Sequence, residues 1–310
     1  MRGKVYGILQ LAQPLGYMIG LLAATLLAGI MGWRGVFYIT GSLGLILAVV
    51  IFFGVKEAPR GQAEPEMADV EQVVDYKFDR KIAGGLFRQR SLLLLFAQGF
   101  VGVFPWQVIT YWFFRYLETE RFYDSQEVLT TMAPAILVLA AGYFVGGALG
   151  DILFKRTPRG RLYVAMVGVL LGAILFSITL AIPVEDKSYF LVMMLLSALF
   201  IPFSSANVIS TVYDITLPEV RSTALAIQYF IENGGAALAP LIAGFIARSY
   251  SLHIAILTIS VSAWIVTAVL LAFTAYLVPQ DIQTLRDQMQ ERAQIERDHA
   301  AQSSLPEGAG

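Results

Sequence analysis

Apolar residues fill this chain in eight long runs, about 5–30, 34–55, 91–117, 128–150, 162–182, 188–216, 222–247 and 252–278, separated mostly by short polar stretches. Each run has roughly the length that, at ~1.5 Å per helical residue, crosses a ~30 Å hydrocarbon core. A backbone exposed to lipid satisfies its own N–H and C=O groups only as a helix or a closed barrel. The pattern therefore predicts an all-α membrane protein with eight transmembrane helices. Residues 56–90 form the one connection long enough to hold an element outside the bilayer. Pro59, Gly61 and Pro65 open it as a flexible linker, and residues 68–81 read as a short surface helix. Beyond Pro279, Ile282, Leu285, Met289 and Ile295 have the spacing of a short amphipathic helix, followed by a low-complexity end with the composition of disorder.

The seventh run carries a carboxylate in its middle. Counting from Ser222, Glu232 lies about 15 Å inward, half the hydrocarbon thickness. An ionisable group at that depth marks a solute or proton path. The start of the chain aligns to the same stretch without gaps at an offset of 219 residues, Arg2 on Arg221, Gln13 on Glu232 and Gly16 on Gly235. Gln10 and Gln13 recur at the depth of Gln228 and Glu232. A parallel repeat of that length, each copy a bundle of spanning helices, marks a large class of secondary transporters.

Other polar residues fall into stripes. Ser204, Asn207, Thr211 and Asp214 share one face of the sixth run, which meets water or another polar helix. In the third run Gln107, Tyr111 and Arg115 follow i, i+4, i+8, with Gln98 deeper. For any one of these, interhelical hydrogen bonding at about 0.6 kcal/mol per pair competes with a pathway role. The candidate pathway comprises Glu232, Gln228, Asn233, Asn207, Thr211, Gln107, Tyr111, Gln10 and Gln13. Pro14, Pro105, Pro134, Pro202 and Pro240 interrupt spans, each removing a backbone hydrogen bond.

Composition agrees: 57% of residues are hydrophobic and 15% charged, with a net charge of −1. No basic excess exists to bind nucleic acid. There is no cysteine, and the two histidines sit at a span edge and in the polar tail, so neither a metal nor a cofactor is expected. Phosphate-binding, zincin and nucleophile-elbow motifs are missing, which argues against an enzyme. With the N-terminus placed inside, 17 of the 22 Lys and Arg fall on the inner side, so both termini are expected in the cytoplasm.

At the inner end of the fourth span stands GGALGDILFKRTPRGR, in which Gly147, Leu149, Asp151, Lys155 and Arg156 follow G-x-L-x-D-x-x-x-[KR]-[KR]. The stretch resembles the loop signature of the major facilitator superfamily, with Ile152 and Phe154 in place of its usual Arg and Gly. The opening RGKVYGILQLAQPLGYMIG and GWRGVF look like that family's fifth and sixth helices, and residues 221–279 like its eleventh and twelfth. AQPLGYMIG with the later KEAPRGQ is similar to spinster-type members, which move lipids. The resemblance implies an incomplete major-facilitator fold, since the family has twelve spans and the first four have no counterpart here.

On this reading residues 1–55 are the last two helices of the first half, 56–90 the central cytoplasmic loop, 91–278 the six-helix second half and 279–310 a cytoplasmic tail. Gly147, Asp151, Lys155, Arg156 and Arg221 form a cytoplasmic gating motif, with Asp151 expected against the start of the seventh span near Arg221 and Ser222. The implied function is transport of a small-molecule or lipid-like solute across the cell membrane, the plasma or bacterial inner membrane, with protons as a candidate partner besides the bilayer. A non-transporting fragment or a scaffold that needs a partner chain is the alternative.

Overall fold

The computed structural model describes residues 2–55 and 84–303. The surface helix expected at 68–81, the linker before it and the chain end beyond 303 lie outside the described residues. Eight helices cover the rest: α1 (Arg2–Gly54), α2 (Arg90–Thr119), α3 (Ser125–Phe154), α4 (Gly160–Ala181), α5 (Lys187–Phe200), α6 (Phe203–Asp214), α7 (Arg221–Ser249) and α8 (Leu252–Ser303). Seven stretches among the described residues are long and apolar enough to cross a membrane. With the first arm of α1 they make up the eight expected spans.

Two breaks explain how eight spans map onto these helices. Within α1 the backbone turns at Gly32, where φ 71° and ψ 166° lie in a region open essentially to glycine alone. That turn divides the first span from the second. The sixth span is divided where Pro202, without an N–H, ends the ladder of α5; Ile201 N still donates to Ser197 O, and α6 restarts at Phe203. Pro14, Pro105, Pro134 and Pro240 are all accommodated inside continuous helices.

Helices α2 to α8 pack as one bundle, with α2 against α7 and α8, α4 against α5, α6 and α8, and the first arm of α1 laid along α3. Its core is aromatic: Phe176 meets Phe113 at 5.9 Å and Trp264 edge-on at 5.5 Å. Small residues bring helices close. A Cβ on Gly142, Gly146 or Gly150, one turn apart on α3, would strike Leu199 and Pro202, Phe203 or Asn207 respectively. A Cβ on Gly147, on the adjoining face, would strike the backbone of Gly3 in α1. The second arm of α1 differs from every other span, because none of its apolar stretch is buried.

The bundle has two ends. One, the near end, gathers the start of α1, the α3–α4 turn, the loop before α7 and the last turns of α8. At the far end Glu120 accepts from Leu252 N (2.6 Å) and His253 N (3.0 Å), supplying acceptors to the first turn of α8. Buried Arg121 donates to Ile182 O and Pro183 O at 2.9 Å, closing the end of α4. The tail continues α8 without a break and folds onto the near end. Leu285, Met289 and Ala293 are buried there against Leu217, and Arg292 grips Glu219 with two hydrogen bonds of 2.9 and 3.2 Å. Ala293 takes the place expected of Ile295, which is exposed, because a helix keeps 282, 285, 289 and 293 on one face and turns 295 away.

Candidate functional site

Midway along the bundle a cavity of about 460 Å³ opens between α1, α2, α6, α7 and α8. Gln10 and Gln13 reach it from α1, Gln98 and Gln107 from α2, Ser204 and Ser205 from the first turn of α6, and Glu232 and Asn233 from α7. Local sequence builds it. The Pro202 break starts α6 at mid-depth, which delivers its two serines to the cavity rather than to an α-helical interior. Gly99 leaves room for what faces it, since a Cβ there would collide with the ends of Gln228 and Glu232. Gln228 Nε2 then donates to Glu232 Oε1 at 2.7 Å, and Gln10 Nε2 donates to Ser205 Oγ at 2.6 Å.

Not every expected pathway residue reaches this space. Glu232, Asn233, Gln107, Gln10 and Gln13 line it, and buried Gln228 supports Glu232 from behind. Asn207 and Thr211 are instead fully packed. Asn207 Nδ2 donates to Gly146 O and Phe203 O at 2.9 and 2.8 Å, and Thr211 Oγ1 donates back to Asn207 O. Beyond Ser204, which lines the cavity, the α6 stripe is therefore packed, and at Asn207 the glycines of α3 let that helix close over it. Tyr111 is 66% exposed on the outside of α2, one turn beyond the cavity. Gln98, Ser204, Ser205 and Thr267 line the cavity without having been among the expected pathway residues. Nothing in the sequence singled out Thr267, since the final span also carries Thr258, Ser260, Ser262 and Thr274.

At the near end a second polar site is fully buried. Asp151, at the end of α3, accepts from Gly3 N and Lys4 N, both at 2.9 Å, and pairs with Arg161 Nη2 at 2.8 Å. Arg161, at the start of α4, also pairs with Asp214 at the end of α6. The guanidinium rests on the Phe154 ring, 4.1 Å from its centroid. The N–H groups seen on Asp151 come from α1, whose Gly3 and Lys4 are the residues that the 219-residue offset matches to Ser222 and Thr223 at the start of α7. Arg161, which the expected motif did not include, supplies a cation, while Lys155 and Arg156 are exposed beyond the last turn of α3. Arg221 sits in the same region, its Nε donating to Thr216 O at 3.1 Å. The cluster ties α1, α3, α4 and α6 together, and opening it would separate buried paired charges.

A family model described as Major Facilitator Superfamily matches residues 1–184. An MFS-type efflux pump of Mycolicibacterium smegmatis is 28% identical over 257 residues, which cover 80% of this chain and 56% of that protein. The cis,cis-muconate transport protein of Acinetobacter baylyi is 27% identical over 255 residues, covering 81% of this chain and 59% of that protein. A probable L-galactonate transporter of Escherichia coli is 28% identical over 274 residues, covering 83% and 58%. The chain thus spans a little over half the length of these relatives. Among solved structures, a bacterial homologue of the human lysosomal transporter spinster, inward-facing and unoccupied, has the same fold with a TM-score of 0.52 at 18% identity. That likeness covers 93% of this chain and 66% of the other.

Proposed function

The chain belongs to the major facilitator superfamily, and on that premise we propose that it moves a small organic solute across the membrane by secondary transport, with the mid-bundle cavity as the binding place. One observation carries this reading: Gln10, Gln13, Gln107 and Glu232, from three helices distant in sequence, line one space at the middle of the bundle. Asn207, packed under α3, gives its amide hydrogens to the backbone carbonyls of Gly146 and Phe203. Here much of the polar lining faces open volume instead.

In this reading Glu232 takes up the coupling proton, and the Asp151–Arg161–Asp214 cluster gates the near end. That end faces the cytoplasm, which follows from the excess of Lys and Arg on its side and puts both termini there. A second bundle, of which the first arm of α1 is a part, closes the cavity opposite α7, and the two rock about the solute. The protein acts in the plasma membrane, with the bilayer, the solute and protons as its partners. Purified protein in proteoliposomes tests this. Under an imposed proton gradient, saturable uptake of muconate, L-galactonate or an organic amine, abolished by a protonophore, is expected. Uptake no greater than that of protein-free vesicles for all three, with either gradient direction, would contradict it.

A further inference from the structure

Glu232 and Asp151 are both carboxylates held within the bundle, but they are satisfied very differently. Asp151 receives two backbone N–H groups and a guanidinium. Glu232 has a single hydrogen-bond donor among the described residues, Gln228. A carboxylate offers about four acceptor positions, so most of its capacity is turned to the cavity. The cavity wall repeats the same deficit. Gln98 Oε1 and Thr267 Oγ1, on side chains only 6% and 1% exposed, have no hydrogen-bond partner among the described residues. Gly102 on α2 is what lets both approach, because a Cβ there would press on Gln98 and touch Thr267. Among the described lining residues there is no Lys, Arg or His. The described lining therefore holds one carboxylate and no basic side chain, beside amides that can both donate and accept.

Aromatic and apolar surfaces complete it. Trp106, Tyr229 and Trp264 present rings to the same space, and such rings attract cations through their faces. Trp106 and Ile201 also wall a second, apolar chamber of about 90 Å³, lined by Phe113, Phe176, Met132 and Met194 among others. Polar and apolar compartments adjoin through those two residues.

We propose that the solute is an amphiphilic organic cation, its ammonium group held by Glu232 with Gln98 and Thr267 as further acceptors, and its apolar body seated in the chamber beyond Trp106. An ammonium carries three donors and no acceptor, which complements this wall. Pairing with Glu232 offsets the cost of leaving a charge at membrane depth. An anion meets the reverse, a carboxylate with nothing basic beside it. The inference rests on the transporter reading and departs from the relatives named for muconate and L-galactonate.

Three probes on one scaffold separate the possibilities: phenylbutylammonium, phenylbutanol and phenylbutyrate, bound to the purified full chain in phosphatidylcholine nanodiscs and followed by tryptophan fluorescence at neutral pH. The ammonium is expected to bind at least tenfold tighter than the alcohol, and the carboxylate more weakly than either. Glu232→Gln is expected to abolish the preference for the ammonium over the alcohol. Thr267→Val, nearly isosteric and without charge change, is expected to weaken the ammonium severalfold and serves as the second variant should Glu232→Gln not fold. Equal binding of ammonium and alcohol, tighter binding of the carboxylate, or an unchanged preference in a folded Glu232→Gln protein overturns the inference. Of these, preference for the carboxylate leaves the transporter reading standing. Saturable binding of none of the three, together with no flux, removes both.

Discussion

Charged side chains within the bundle divide by how they are satisfied. Arg161 sits between two buried carboxylates, and removing it takes a shared cation from both. Arg161→Ala is expected to cost about 3–5 kcal/mol, read as a fall in the thermal midpoint of the detergent-purified protein. Lys155→Ala, at an exposed position of the same motif, is expected to change stability by no more than about 0.5 kcal/mol. A larger loss from Lys155 than from Arg161 would show that the cluster has been misassigned. Glu232 is the opposite case, a carboxylate left open to the cavity. In proteoliposomes Glu232→Gln is expected to slow proton-driven uptake about tenfold or more, about 1.4 kcal/mol or more of lost function. It is also expected to flatten the dependence of the remaining uptake on external pH, and a pH profile like that of the unaltered protein would exclude Glu232 from coupling. Asp151 was legible in the sequence because its motif has fixed spacing. Arg161 was not: four basic residues follow Asp151, and only the turn after Phe154 decides which of them points inward.

Elements are placed by glycines and prolines more than by apolar content, which is high in every span and distinguishes none. Gly147→Ala is expected to loosen α1 from α3 and to cost about 1–3 kcal/mol, because the clash is with the Gly3 backbone, which has nowhere to go. Gly16→Ala, where a Cβ meets nothing within 4 Å, is expected to be neutral or slightly stabilising. Paired thermal unfolding curves check both, and equal effects would contradict the close approach. At the tail, Glu219 is 2% exposed beneath Arg292. Arg292→Ala is expected to release the end of α8, seen as faster trypsin cleavage at Arg286 and Arg297, and protection unchanged from the parent would show that the apolar contacts of Leu285 and Met289 suffice. Periodicity located this helix but chose Ile295 over Ala293, since hydrophobicity alone favours the larger residue. The packing of Asn207 against α3 was likewise out of reach, because it depends on Gly146 and Gly150 from a helix some sixty residues away.

As a whole the molecule is one packed bundle with an additional helix pair of unequal burial, the first arm of α1 laid on α3 and the second uncovered along its length. The eight spans and the family were readable from run lengths, the repeat and the motif near Asp151. The cavity was readable only in part, since a polar residue at mid-depth can face a void or a neighbour, and the difference lies in which helices close over it. On the proposed function this cavity is a water-filled solute site reached alternately from the two sides of the membrane. The chain contains no cysteine, so single cysteines report cleanly. Ser204→Cys, on the cavity wall, is to be compared with Thr211→Cys, two turns along α6 and 2% exposed, using a membrane-impermeant thiol reagent on oriented vesicles. Ser204→Cys is expected to be labelled when the reagent is added from either side, with solute slowing both reactions, and Thr211→Cys to resist labelling from both. Labelling of Ser204→Cys from one side only under every gradient and solute condition, or from neither, would contradict it.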